Sequence, residues 1–120
     1  MRYALLCYDS DDIVGGWTTR QEEEVFAKHE AVEKELADQG RLGPNLSLMP
    51  TSAAITVRSS GEPIVMDGPF AETKEQLLGF WIIDCASLEE AIETARRFAS
   101  HKQTGAIEIR PVALRDQARA

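Results

Sequence analysis

The most informative stretch of this sequence is Asp67-Gly68-Pro69-Phe70-Ala71-Glu72-Thr73-Lys74-Glu75-Gln76. Aspartate and glycine form turns readily, and Pro69 fixes its own φ and has no N–H to give to a strand ladder. We therefore expect the preceding strand to stop at this loop. If Pro69 opens a helical turn, the Asp67 carboxylate can accept backbone N–H groups at its start, near the charged side chains of Glu72, Lys74 and Glu75.

Segments with strand and helix periodicity lie on both sides of this loop. Alternating or continuous apolar residues predict strands at 2–8, 54–58, 64–66, 78–83 and 106–112, with a loop at 9–17 and a short extended piece at 46–49 within a second loop at 41–50. Apolar spacings of three and four predict helices at about 19–38 and about 87–99, which Thr19 with Glu22 and Ser87 with Glu90 would cap. This order of elements predicts an α+β ferredoxin-like sandwich with both helices on one sheet face.

The sheet face away from the helices carries a mixed set of residues. The first strand, 2–8, is apolar on both faces, which is typical of a central strand covered on both sides. In the strands at 54–58 and 106–112, alternation instead places Arg58, Glu108 and Arg110 opposite the apolar positions. A face of this kind favours a dimer cleft or a ligand pocket over a dry core.

Length and composition limit the class of protein. A chain of 120 residues with 43% hydrophobic and 28% charged residues suits one globular domain, which we expect at 1–114, followed by a flexible tail at 115–120. No apolar run is long enough to span a membrane, and the start is charged too early for a signal peptide. Cys7 and Cys85 are typical of buried free thiols, which predicts a cytoplasmic protein.

The net charge argues against two classes of partner. A formal charge of −7 repels phosphate backbones and anionic lipid surfaces, so neither nucleic acid nor a membrane is an expected partner. The sequence also contains no metal-ligand spacing and no phosphate-binding glycine loop, so we expect no metal and no cofactor.

The chain resembles the DGPF branch of the YCII-related domain family. The resemblance rests on Thr56-Val57-Arg58, on residues 67–77 with Gly79-Phe80, and on residues 105–112. It implies a ferredoxin-like dimeric α/β barrel, and thus a homodimer in which the sheets of two subunits enclose pockets. Some members of the family present a His-Asp pair in a cleft, and His29 is the nearest counterpart of that histidine. The DGPF branch is also similar to proteins encoded beside extracytoplasmic-function sigma factors, which suggests a signalling link.

Two residues are candidates for catalysis, and each has a structural alternative. Asp67 is either a general acid or base or a turn residue that satisfies its own loop, and His29 is either catalytic or a buried imidazole satisfied by a carbonyl. Candidate ligand-binding residues are charged or lie within the loop: Arg58, Pro69, Phe70, Glu72, Lys74, Glu75, Glu108 and Arg110.

The sequence also suggests positions for three further aromatic residues. Trp81 is expected in the core, Trp17 either at a pocket mouth or as a staple on the first helix, and His101 on an exposed loop after the second helix.

The leading functional hypothesis is a homodimer with a small-molecule pocket bounded by the Asp67 loop, the first helix and the inner sheet face. Acid–base chemistry without a cofactor, such as isomerisation or decyclisation of a small anionic metabolite, is the expected reaction class. The alternative is a module that senses a metabolite or docks on a sigma factor. In a third interpretation, the loop only builds the dimer.

Overall fold

The computed structural model describes residues 1–113, which contain all the strands and helices that the periodicity predicts. In chain order the elements are β1 (Arg2–Asp9), α1 (Asp11–Gly15), α2 (Thr19–Asp38), β2 (Leu42–Ser47), a 3-10 turn (Thr51–Ala53), β3 (Ile55–Arg58), β4 (Ile64–Asp67), β5 (Gln76–Asp84), α3 (Leu88–Ala99) and β6 (Ala106–Pro111). The tail expected at 115–120 lies outside the described residues.

Four strands form one antiparallel sheet in the order β2-β5-β1-β6. Leu5 of β1 pairs with Trp81 of β5 on one side and with Ile109 of β6 on the other. This order and the two long helices that follow β1 and β5 are consistent with the predicted ferredoxin-like fold. The register of β1 against β5 shifts between Cys7 and Tyr8, and such irregularities often occur next to functional sites.

The core lies between the sheet and helices α2 and α3. Leu5, Leu36, Ile83 and Phe98 are fully buried, and Trp81 stacks on Phe98 with ring centroids 4.0 Å apart. Burying each of these side chains contributes about 1.5–3 kcal/mol relative to leaving it in water. The prediction that Trp81 belongs to the core is therefore confirmed, and both long helices pack on the same sheet face.

The helix caps agree with the sequence in one case and differ by one residue in the other. Ser87 accepts a hydrogen bond from the Glu90 N–H, as predicted. In α2 the capping box is made by Thr18 and Gln21, so the assignment to Thr19 and Glu22 is wrong. Both threonines satisfy the sequence pattern, and the extended backbone of Thr18 (φ −70°, ψ 158°) decides between them.

Strands β3 and β4 form a separate two-stranded hairpin outside the main sheet. Alternation predicted the hairpin but not its separation, because a strand pattern does not specify which strand lies beside it. Ile55, Val57 and Val65 are 60–68% exposed. Strand β4 stops at the loop as predicted, although it extends to Asp67, one residue beyond the expected 64–66, and no helical turn follows Pro69.

The second face of the main sheet has no helix over it within residues 1–113. Tyr3 and Leu5 face the core, so Leu6 and Tyr8 face the opposite way, and they are only partly buried. Glu108 pairs with Leu6 and therefore lies on this uncovered face. The expectation that β1 is covered on both sides is wrong for the single chain.

Two loops differ from the sequence prediction. The stretch before the first helix contains the short helix α1, capped by Ser10, and the short extended piece expected at 46–49 is a longer strand, β2. None of the helices in residues 1–113 combines the length and the apolar character of a membrane span.

Candidate functional site

A cavity of about 430 Å³ lies between helices α1 and α2 and the ends of strands β2 and β5. Much of its wall is apolar, with Trp17, Phe26 and Leu48 among the lining residues, and its polar lining includes His29 and Lys102. The volume falls in the range of small-molecule sites, which typically combine apolar walls with a few placed polar groups. The cavity is therefore the first candidate for a functional site.

A buried ion pair stands behind the Lys102 side of this cavity. Asp9, the last residue of β1, is 1% exposed, and the Lys102 Nζ lies 2.7 Å from its Oδ2. Thr104 Oγ1 donates to the same oxygen at 3.0 Å, and the Ser10 N–H donates to Oδ1 at 2.8 Å. The Asp9 carboxylate therefore has three donors: Lys102, Thr104 and the backbone of Ser10. These contacts fix the position of the Lys102 ammonium group and hold residues 102–104 against the end of β1.

These contacts also set the charge of Asp9. Burial by itself raises the pKa of Asp9, but the hydrogen bonds from Lys102, Ser10 and Thr104 outweigh it and bring the pKa below its ordinary value. Asp9 is consequently ionised at neutral pH, and the pair with Lys102 is a pair of opposite charges.

Two histidines meet beside the ion pair. His29 on α2 and His101 after α3 approach with their Nδ1 atoms 2.7 Å apart, so one ring donates the hydrogen bond and the other accepts it. The His29 ring also packs edge-on against Trp81 and Phe98, with centroid distances of 5.2 Å and 5.4 Å. These contacts fix the orientation of an imidazole that is only 8% exposed.

Both histidines are neutral at pH 7. Burial first, and then His101 and Lys102, lower the pKa of His29 from 6.5 to about 4. Burial, Lys28 and Arg97 likewise lower the pKa of His101. Burial disfavours the charged form of each ring, and the neighbouring cations add to this effect, which explains the direction of both shifts.

Cys7 lies near Lys102 and lines the cavity. Burial raises the pKa of its thiol, Lys102 opposes that shift and Asp9 adds to it. Cys7 is therefore a neutral thiol at pH 7, and the positive charge of the wall comes from Lys102. Cys7, His29 and Lys102 also line a second cavity of about 100 Å³, whose wall includes residues 102–107.

The short helix α1 lines another part of the cavity. The Asp11 carboxylate accepts hydrogen bonds from the backbone N–H of Thr51, at 3.2 Å, and from the Thr51 hydroxyl. This contact ties α1 to the 3-10 turn that follows β2. Trp17, one residue before the cap of α2, lines the same cavity, and the Lys102 Nζ lies 5.6 Å from the centroid of its ring. Of the two interpretations of Trp17, the structure favours the pocket.

The chain is similar in sequence to a known protein family and to another protein. A family model of the YCII-related domain matches residues 1–114. The chain belongs to the YCII-related family. It is also 51% identical over 116 residues to an uncharacterized protein of Rhizobium meliloti (strain 1021), an alignment that covers 95% of this chain and 94% of the relative. The resemblance to the YCII-related family is confirmed, whereas the assignment to the DGPF branch stays a prediction.

The residues predicted to form the site of this YCII-related protein do not lie together. His29 lines the cavity, but no residue of the 67–75 loop lines this cavity or the smaller one of about 100 Å³. Asp67 is exposed, and Glu108 and Arg110 lie on the uncovered face of the sheet. Glu72, Lys74 and Glu75 are exposed as well. A catalytic role for Asp67 stays a prediction, as does ligand binding by these charged residues.

The rest of the predicted loop packs locally. The Arg58 guanidinium lies 5.2 Å from the centroid of the Phe70 ring, and Phe70 is 72% exposed. Gln76 donates to the carbonyls of Ala71 and Thr73, and this closes the loop on itself. The loop, which includes Pro69, is therefore held by its own hydrogen bonds and by the contact of Phe70 with Arg58 of the hairpin. It does not line the 430 Å³ cavity.

Sequence reasoning missed three residues of the cluster: Asp9, His101 and Lys102. His101 was expected on an exposed loop, but it is partly buried against His29. A usable signal exists for Asp9, because an acidic residue that ends an apolar central strand must find a partner once the strand is buried. In the described part of this YCII-related chain, His, Cys, Asp and Glu side chains form no group of three that could hold a metal.

The lowered pKa of His29 predicts a loss of stability in mild acid. Below about pH 6.5 the unfolded chain binds a proton at this residue, whereas the folded protein does not until the pH approaches 4. Between about pH 7.5 and about pH 5, the free energy of unfolding should therefore fall by about 2 kcal/mol from His29, with His101 adding in the same direction. Urea unfolding at several pH values measures this, and His29→Gln should flatten the dependence. An equal slope in both proteins would contradict the assignment.

Proposed function

We propose that this protein binds a small molecule in the 430 Å³ cavity and transfers a proton to or from it through His29. The observation that carries the proposal is the position of one imidazole. His29 lines the cavity, is held by two aromatic rings, and is hydrogen-bonded through Nδ1 to a second imidazole. Among ordinary side chains, histidine most often serves as a general acid or base.

The hydrogen bond to His101 supports a relay. Because Nδ1 of His29 is occupied, Nε2 is the ring nitrogen left for a ligand. When Nε2 takes a proton, Nδ1 can release its own to Nδ1 of His101, which is less buried and can exchange with water. A neutral His29 of low pKa is a weak base, but an anionic ligand beside it would raise that pKa towards the range of a general base.

We further propose that the working form is a homodimer. The support is a pair of unmatched apolar surfaces: the uncovered sheet face around Leu6 and Tyr8, and the hairpin that exposes Ile55 and Val65. A two-stranded hairpin is marginally stable by itself, and an apolar sheet face is normally covered. A second copy of the chain would cover both the sheet face and the hairpin, in line with the resemblance to dimeric barrels.

Val65→Lys should then yield monomers in sedimentation velocity, whereas Glu62→Lys, in the exposed turn, should not.

Proton transfer can be tested before the natural substrate is known. Small keto acids, keto esters and unsaturated lactones are incubated with the protein in D₂O, and proton NMR follows the loss of the signal of the acidic carbon-bound hydrogen. We expect catalysed exchange for at least one compound, lost in His29→Gln and retained in Asp67→Asn. Exchange that survives in His29→Gln would reject the proposal. Binding without any exchange would favour the metabolite-sensing alternative.

A further inference from the structure

The charge inside the cavity is unevenly distributed. Among the described residues that line it, Lys102 is the one lysine or arginine, and its side chain is 9% exposed. Asp9 neutralises it from behind, since Asp9 does not line the cavity and its oxygens are taken by Lys102, Thr104 and Ser10. An ammonium group has three N–H donors, and the contact with Asp9 uses one of them. A ligand in the cavity would therefore meet the ammonium group of Lys102 and not the carboxylate of Asp9.

Two acidic residues, Asp11 and Glu22, also line the cavity. Glu22 is exposed on the first turns of α2, and Asp11 is occupied by Thr51 at the contact between α1 and the 3-10 turn. A ligand with a second negative charge would be repelled by these carboxylates. The remaining wall is largely aliphatic and aromatic, including Trp17, Phe26 and Leu48, and would pack against an apolar body.

We propose that the cavity binds an organic monocarboxylate with an apolar body, and that the ammonium group of Lys102 holds its carboxylate. A carboxylate on Lys102 completes a buried charge-assisted contact, while the apolar part fills the space beside Trp17. In this proposal Lys102, rather than the candidate ligand-binding residues Arg58 and Arg110, holds the charged group of the ligand. This inference rests on the proposed function only in taking the cavity as the ligand site, and it concerns binding rather than proton transfer.

The test compares an acid with its uncharged isostere. Isothermal titration calorimetry is performed with hydrocinnamate and with hydrocinnamamide, and again with octanoate and octanamide, on the unaltered protein. Losing a charge-assisted contact should weaken the amides about 10- to 100-fold relative to the acids. This comparison requires no mutation, so it is independent of folding.

Variants then locate the contact. Lys102→Met alone would leave Asp9 buried without its partner, so Asp9→Asn is combined with it to keep the pair neutral. The double variant should lose the preference for the acids, whereas Lys34→Met, which removes an exposed lysine paired with Asp38, should keep it. Thermal unfolding checks that the double variant is folded, and failure to fold leaves the comparison of acids with amides as the deciding result.

The outcomes separate this inference from the proposed function. Equal affinity for acids and amides overturns the inference but keeps the cavity as a ligand site. A preference for acids that survives in the double variant removes Lys102 from the contact and also overturns it. Absence of binding by both hydrocinnamate and octanoate overturns the monocarboxylate class. Binding of acids through Lys102 without proton exchange sustains the inference and rejects only the proton transfer.

Discussion

Asp9→Asn should lower the free energy of unfolding by about 3–5 kcal/mol, because it leaves the buried ammonium of Lys102 without a counter-charge. The substitution preserves the shape of the side chain, so the loss reports charge rather than packing. Urea unfolding at neutral pH measures it. Asp84→Asn is the matched control: Asp84 lies 3.9 Å from Arg2 with its side chain 53% exposed, and a surface pair of this kind contributes less than about 1 kcal/mol.

A double-mutant cycle makes the explanation specific. Lys102→Met alone should destabilise as strongly as Asp9→Asn, because it leaves the carboxylate unpaired. The combined variant should recover much of the loss, since neither charge then remains in the interior. If the two single losses simply add in the double variant, Asp9 and Lys102 are not coupled and the buried pair is excluded as the cause.

Gly105→Ala should be the second large effect, at about 2–5 kcal/mol, from strain and a clash together. Gly105 has a φ of +84°, which disfavours any side chain, and a Cβ there would lie 2.9 Å from Cγ and Oδ2 of Asp9 and even closer to the carbonyl oxygen of Tyr8. The strand backbone cannot yield easily. The substitution should therefore push Thr104 away from Asp9 as well as strain the chain.

Gly61→Ala separates the two causes. Gly61 has a similar φ of +77°, but no heavy atom lies within 4 Å of a Cβ at that position. This variant should lose about 1–2 kcal/mol, from backbone strain alone. Equal losses in both variants, measured by urea unfolding, would show that the close approach of Gly105 to β1 contributes little.

Local patterns predicted both long helices and strands β1, β3, β4, β5 and β6, and therefore the fold class. The spacing along α2 and α3 and the alternation in β1, β5 and β6 follow directly from which side of each element is buried. The prediction failed where two neighbouring residues fit the same pattern, as Thr18 and Thr19 do at the cap of α2. It also failed where the pattern of a strand does not say which strand lies beside it. The hairpin of β3 and β4 is an example, because alternation is the same in an isolated ribbon and in a sheet.

The candidate site depends on contacts that no local pattern records. His29 and His101 are 72 positions apart, and Asp9 meets Thr104 across 95 positions. The Asp67 loop drew attention because its turn residues and charges are adjacent in sequence, and its residues line neither of the two cavities described above. Lys102 gave no signal, because a single lysine after a helix is ordinarily solvated.

Chemical-shift mapping is the most direct test of the cavity as the ligand site. Amide ¹H–¹⁵N spectra are recorded while hydrocinnamate is titrated into the unaltered protein. We predict shifts concentrated at Trp17, Phe26, His29, Leu48 and Lys102, with residues 67–76 unchanged. Shifts confined to residues 67–76, with the cavity residues unmoved, would contradict the assignment and return the site to the Asp67 loop.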